Sequence, residues 1–147
     1  MKWFFLDTNI LIYARDPREP RKQRRAAEWI AELAERDAAV ISPQTVLEFC
    51  NVLRRKFRSA DPHAVLEALA GMEQWCRAPA NFSVYMKGLA LHFETGYQVP
   101  DCTLLASALE AGCSVFLSED LRSGHIIEDM LILNPFETDA GAFLADN

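Results

Sequence analysis

Three aspartates far apart in the sequence occupy positions from which they could act together. Asp7 directly follows the apolar-aromatic run 2–6, and Asp120 follows the apolar run Val115–Leu117 after Ser118 and Glu119. Both runs read as buried strands, and parallel α/β sheets bind ligands just beyond the carboxyl ends of their strands. Asp101 opens a helical stretch with Leu104, Leu105 and Ala108 at i+3, i+4 and i+7, so it shares their inward face. Each acid also has a plainer use, because turns favour aspartate and an acid in a first helical turn can cap it or complement its dipole. Capping does not require alignment with an apolar stripe, and this tilts Asp101 toward a cleft. Carboxylates gathered in one place repel one another unless a cation joins them. Hard divalent ions such as Mg²⁺ and Mn²⁺ take oxygen ligands and need only a few carboxylates beside water and phosphate. The chemistry indicated is metal-assisted phosphoester hydrolysis, with water as the nucleophile.

The elements that must position these acids follow from periodicity and caps. Residues 2–6, 39–41, Val115–Leu117 and Met130–Leu133 read as short buried strands. After Asp7, a brief helix carries Ile10, Leu11 and Tyr13, and residues 15–20 form a proline-containing loop. Helices are predicted over residues 21–36, from Ser42-Pro43 to about 57, from Asp61-Pro62 to about 76, over 83–94 and from Pro100-Asp101 to Gly112. Strands alternating with helices predict an α/β fold built on a parallel sheet. Glu48 lies across its helix from the stripe of Val46, Phe49 and Leu53, so periodicity alone reads it as solvated.

Composition bounds the partners. The 147 residues suit one domain, and the half that are hydrophobic can build a core without disulfides. Lys and Arg number 15 against 21 Asp and Glu, a net charge of −6, which excludes gripping a polyanion by broad charge attraction. Any such binding must be local. Cys50, Cys76, Cys102 and Cys113 lack metal-site spacing and read as reduced, mostly buried thiols. Asp7 and Asn9 interrupt the apolar N-terminal stretch, no cleavage site follows it, and no run approaches a membrane span, so the expected location is the cytoplasm.

The segments "FFLDTNILIYA", "ISPQTVLEF", "VPDCTLLASALEAGC", "VFLSEDL" and "LILNPF", in this order and spacing, resemble the PIN-domain family. Within it, the chain is most similar to the VapC-type ribonuclease toxins of prokaryotic toxin–antitoxin pairs. The resemblance implies a single PIN domain over 1–147, with a parallel sheet flanked by α-helices on both sides. It implies a catalytic and metal-binding set of Asp7, Glu48, Asp101 and Asp120, and so promotes Glu48. Thr8, Asn9 and Ser118 match polar positions that hold the acids or a metal water. Glu119 precedes the fourth acid and is expected in solvent. The implied activity is Mg²⁺- or Mn²⁺-dependent endoribonucleolytic cleavage, with RNA as substrate, a small antitoxin as partner and a homodimer as the assembly. The alternative is a non-catalytic PIN scaffold that binds RNA or a protein.

Two basic clusters are expected to differ in role. Arg21, Lys22, Arg24 and Arg25 read as a solvated helix face paired with Glu28, Glu32 or Glu35. Arg54, Arg55, Lys56 and Arg58 close the helix of Glu48, suit its dipole and could meet RNA phosphates. Trp3, Trp29 and Trp75 fall in apolar stripes and read as core. Two other acid-and-Mg²⁺ chemistries fit less well. An aspartyl-phosphate phosphotransferase needs an acid where Asn9 stands, and a receiver domain needs a late lysine, whereas none follows Lys87.

Overall fold

The computed structural model describes residues 2–58 and 61–146. These fall into two compact units, one formed by the two ends of the chain, up to Ala39 and from Gly112 onward, the other by Val40–Ala111.

The first unit is built on the sheet. Its strands are β1 (Phe4–Leu6), β2 (Ala39–Val40), β3 (Val115–Leu117), β4 (Ile126–Ile127) and β5 (Met130–Leu133), in the order β2-β1-β3-β5-β4. β1, β3 and β5 pair in parallel, with Leu6 opposite Leu117 and Leu117 opposite Leu133. β4 runs antiparallel to β5, so the sheet is parallel except at that edge. The strands β1 and β3 are wholly buried, as expected of strands covered on both faces. Helices α1 (Thr8–Tyr13), α2 (Pro20–Glu35) and α7 (Ala140–Ala145) complete the unit. Trp29 of α2 is fully buried against Phe4 and Phe143, at ring-centroid distances of 6.3 and 6.0 Å. Its indole N–H donates to the carbonyls of Pro135 and Thr138 at 3.0 and 3.1 Å, which satisfies the one polar atom of a large apolar side chain. Phe5, whose side chain points to the opposite face of the strand, stacks on Phe116 at 5.1 Å.

The second unit is helical. α3 (Pro43–Lys56) starts with a reciprocal capping box between Ser42 and Thr45 and a proline in its first turn. α4 (Pro62–Ala70) is capped by Asp61. It stops at Gly71, and a 3-10 turn at Glu73–Trp75 follows, so the expected helix to residue 76 is cut short. Ile41 ends the expected strand 39–41 in a lone parallel bridge to Cys76. α5 (Phe82–Thr95) and α6 (Val99–Glu110) pack together within this unit. The approach is so close that a Cβ on Gly88 of α5 would lie 2.8 Å from Thr103 Cα of α6.

All four cysteines are free. Burial pushes the Cys113 thiol up to about 12, and it raises Cys76 and Cys102 as well, in keeping with inert protonated thiols. Trp3 and Trp75 are half-buried, and only Trp29 is full core. Among the described residues no helix is long and apolar enough to cross a membrane.

Candidate functional site

The parallel register of β1 and β3 brings Asp7 and Ser118 to the carboxyl ends of neighbouring strands. The Asp7 N–H donates to the Leu117 carbonyl at 3.1 Å, and the Ser118 N–H donates to the Leu133 carbonyl at 3.0 Å. Both backbones are therefore fixed by the sheet before any side chain contributes. Asp7 is the N-cap of α1 and only 4% exposed. Its Oδ1 accepts from the Thr8 N–H at 2.7 Å, and its Oδ2 accepts from the Ser118 hydroxyl at 2.8 Å. The same hydroxyl accepts from the Asp120 N–H at 3.2 Å. Asn9, in the first turn of α1, donates from Nδ2 to Asp120 Oδ2 at 2.6 Å. Asp7, Ser118, Asp120 and Asn9 thus form one hydrogen-bonded network, with a buried carboxylate at one end and an exposed one at the other. Thr8 contributes through its backbone N–H, and Asn9 and Ser118 through side chains.

Glu119 is not free in solvent. Its side chain is 23% exposed and ion-paired with Lys22 of α2. Lys22 Nζ also lies 4.8 Å from the centroid of the Tyr13 ring and 5.5 Å from that of Phe136. The pairing raises the Lys22 ammonium, while burial, followed by the Glu119 charge, raises the Tyr13 hydroxyl. Lys22 therefore departs from the expected pairing within its own helix. In that cluster only Arg25 meets an acid of α2, Glu28 at 4.0 Å.

The other two acids belong to the second unit. Glu48 of α3 is half-buried, and its Oε1 accepts from Gln44 Nε2 at 2.8 Å. The same nitrogen donates to the Pro100 carbonyl at 3.0 Å. Gln44 thereby ties Glu48 to the first turn of α6, where half-buried Asp101 stands. Gln44 Oε1 is buried without a hydrogen-bond partner among the described residues. The spacing i, i+4 between Gln44 and Glu48 was the only sequence signal for this bridge. Its second end, the carbonyl 56 positions away, left none. Arg54, Arg55 and Lys56 lie exposed in the last turn of α3, where their charge suits the dipole, and Arg58 is exposed just beyond.

Among the described residues no three or more His, Cys, Asp or Glu side chains form a metal-ligating group. The donor chemistry of the first unit nonetheless fits a small hard cation. Mg²⁺ is commonly held by one or two carboxylates and keeps several waters, and Asp7 and Asp120 offer two oriented carboxylates beside exposed surface.

A mostly parallel α/β sheet with paired acids at its carboxyl edge defines the class. The sequence profile of the PIN domain matches residues 4–126, and the chain belongs to the PIN-domain family. No curated protein matches it. Solved structures share the fold at low identity. A toxin–antitoxin complex from Klebsiella pneumoniae superposes with a TM-score of 0.61 at 18% identity, covering 89% of this chain and 96% of that one. VapBC2 from Rickettsia felis, bound to a promoter DNA fragment, gives 0.59 at 14%, covering 89% and 97%. VapC20 from Mycobacterium tuberculosis, described as a sarcin–ricin loop cleaving toxin, gives 0.57 at 17%, covering 80% and 91%.

Proposed function

We propose that the protein is a metal-dependent endoribonuclease, the toxin of a VapBC-type pair, which hydrolyses RNA phosphodiester bonds. The observation that carries this reading is the Asp7–Ser118–Asp120–Asn9 network at the carboxyl ends of neighbouring parallel strands of a PIN fold. Asp7, Asp120, Glu48 and Asp101 are the acids assigned to Mg²⁺ or Mn²⁺. The metal would supply water activation and charge neutralisation at the phosphodiester. The chain's own residues provide orientation. The Thr8 N–H and the Ser118 hydroxyl fix the two oxygens of Asp7, Asn9 fixes one oxygen of Asp120, and Gln44 holds Glu48 to the first turn of α6.

The structural neighbours, two toxin–antitoxin assemblies and one sarcin–ricin loop cleaving toxin, support a small antitoxin partner and an RNA substrate. Phe82, Met86 and Phe93, which α5 leaves exposed, support a homodimer. The profile match runs through both compact units and supports reading 1–147 as one PIN domain. A cytoplasmic location goes with this reading, and so does a role for Arg54, Arg55, Lys56 and Arg58 along the RNA backbone. The test is cleavage of end-labelled structured RNA by the purified protein. Cleavage is expected with Mg²⁺, none with EDTA, and a loss of orders of magnitude in Asp101→Asn with native circular dichroism. RNA binding without cleavage under any metal would instead favour the non-catalytic scaffold, and cleavage indifferent to EDTA would overturn the metal mechanism.

A further inference from the structure

The first half of α2 carries four cations that the acidic network does not use. Arg21, Lys22, Arg25, Phe136 and Glu137 line a hollow of ≈ 200 Å³. A second hollow of ≈ 180 Å³ is lined by Arg21, Arg24, Arg25 and Glu28. Arg21 and Arg25 line both. Arg21 and Arg24 meet no acid at salt-bridge distance among the described residues. Arg25 reaches Glu28 and Asp139 only at 4.0 and 3.9 Å, both carboxylates about half exposed, so these pairs contribute little. Lys22, in contrast, is already neutralised by Glu119, the residue next to Asp120. The hollow is therefore lined by under-used guanidinium groups and by half-buried Phe136. Through Lys22 and Glu119 it connects to the acidic network.

We propose that this hollow is a subsite for one nucleotide of the RNA strand beside the cleaved bond, with its phosphate on Arg21 and Arg25 and its base against Phe136. The inference rests on the nuclease reading above and adds to it where the strand runs. On a chain of net charge −6, attraction for a polyanion must be local, and these arginines supply it. Guanidinium groups match phosphate oxygens as paired donors. An aromatic wall distinguishes the occupant, because single-stranded RNA is held by stacking its bases on such rings. A carboxylate side chain of an acidic peptide has no comparable use for the ring.

Fluorescence anisotropy with a labelled single-stranded oligoribonucleotide, in EDTA so that nothing is cut, tests the subsite in the full chain. Arg21→Ala/Arg25→Ala is expected to weaken binding about tenfold or more and to lower the log–log salt slope by roughly 0.7, one phosphate contact's worth. Phe136→Leu is expected to weaken it roughly fivefold or more with the salt slope unchanged. Circular dichroism melts check that both variants fold. Photocrosslinking of a 4-thiouridine oligomer to the unaltered protein, expected on the peptide containing Phe136, needs no variant. Parent-like RNA binding by both folded variants, with crosslinks elsewhere, overturns the subsite while the nuclease reading stands. Loss of oligoglutamate binding in the arginine variant with RNA binding intact overturns it in favour of an acidic protein partner. A parent that neither binds nor cuts RNA overturns both readings.

Discussion

Ser118 Oγ donates its only proton to the Asp7 carboxylate at 2.8 Å and uses a lone pair for the Asp120 N–H at 3.2 Å, all at a residue with no exposed surface. Removing that oxygen leaves a buried carboxylate oxygen short of a donor and a backbone N–H short of an acceptor. Ser118→Ala is therefore expected to destabilise the protein by about 1–3 kcal/mol in urea unfolding, well above the usual effect of losing a surface hydroxyl. RNA cleavage should fall with it, because Asp7 and Asp120 lose their common anchor. A variant of parental stability would show that water replaces the hydroxyl and that the network is not structural. The places of Asp7 and Asp120 after strands and of Asp101 in a first helical turn were legible in the sequence, because a strand end or a helix start is itself a pattern. Glu48 entered only through family resemblance. Lys22 and Gln44 could not be read, since each acts on a partner distant in sequence, Glu119 and the Pro100 carbonyl respectively.

At the scale of elements, the helices with strong start signals begin as expected, although α4 stops at Gly71 instead of near residue 76, and the other failures occur where elements are too short to carry a period. β4 has two residues and turns into β5 through Glu128, a non-glycine residue at φ 53°, without the Asn-Gly or Asp-Gly signal of a tight hairpin. α7 has six residues, and its Asp139 cap is the only mark it leaves. The close approach of α5 to α6 at Thr103 requires a residue without Cβ at position 88. Gly88 is buried in the middle of a 14-residue helix, where alanine would ordinarily gain about 0.5–1 kcal/mol. Here the added Cβ meets Thr103 at Cα and Cγ2, both at 2.8 Å, and backbone cannot rotate away. Gly88→Ala is expected to cost a net ~1–3 kcal/mol, the range of an overpacked core, with the reversal of sign as the diagnostic. Since Thr103 sits two residues past Asp101, cleavage should fall more steeply than stability alone accounts for. Urea midpoints and cleavage rates measured on the same preparation check both expectations, and a stabilised variant would refute the close approach.

For the molecule as a whole, the acids that make a metal site add to a charge that is already negative, −6 in total. Folding the metal-free chain holds Asp7 and Asp120 in one network, with Glu119, ion-paired to Lys22, next to Asp120 in the chain. Like charges held close oppose the state that holds them. A ligand that binds only the folded state stabilises all of it, by about 2.7 kcal/mol at 100 times Kd, a rise of roughly 5–10 °C in Tm for a chain of this size. Asp120→Asn keeps the shape and leaves an oxygen able to accept from Asn9, so its main effect is the loss of one charge. In EDTA this variant is expected to melt at or above the parent. That contrasts with typical substitutions, which cost about 1 kcal/mol. Saturating Mn²⁺ should raise the melting temperature of the parent and recover little of that rise in the variant. Thermal melts of both proteins, with EDTA and with Mn²⁺, separate the possibilities. A parent indifferent to Mn²⁺ would remove the metal from the mechanism, whereas an undiminished rise in Asp120→Asn would remove only Asp120 from the ligand set.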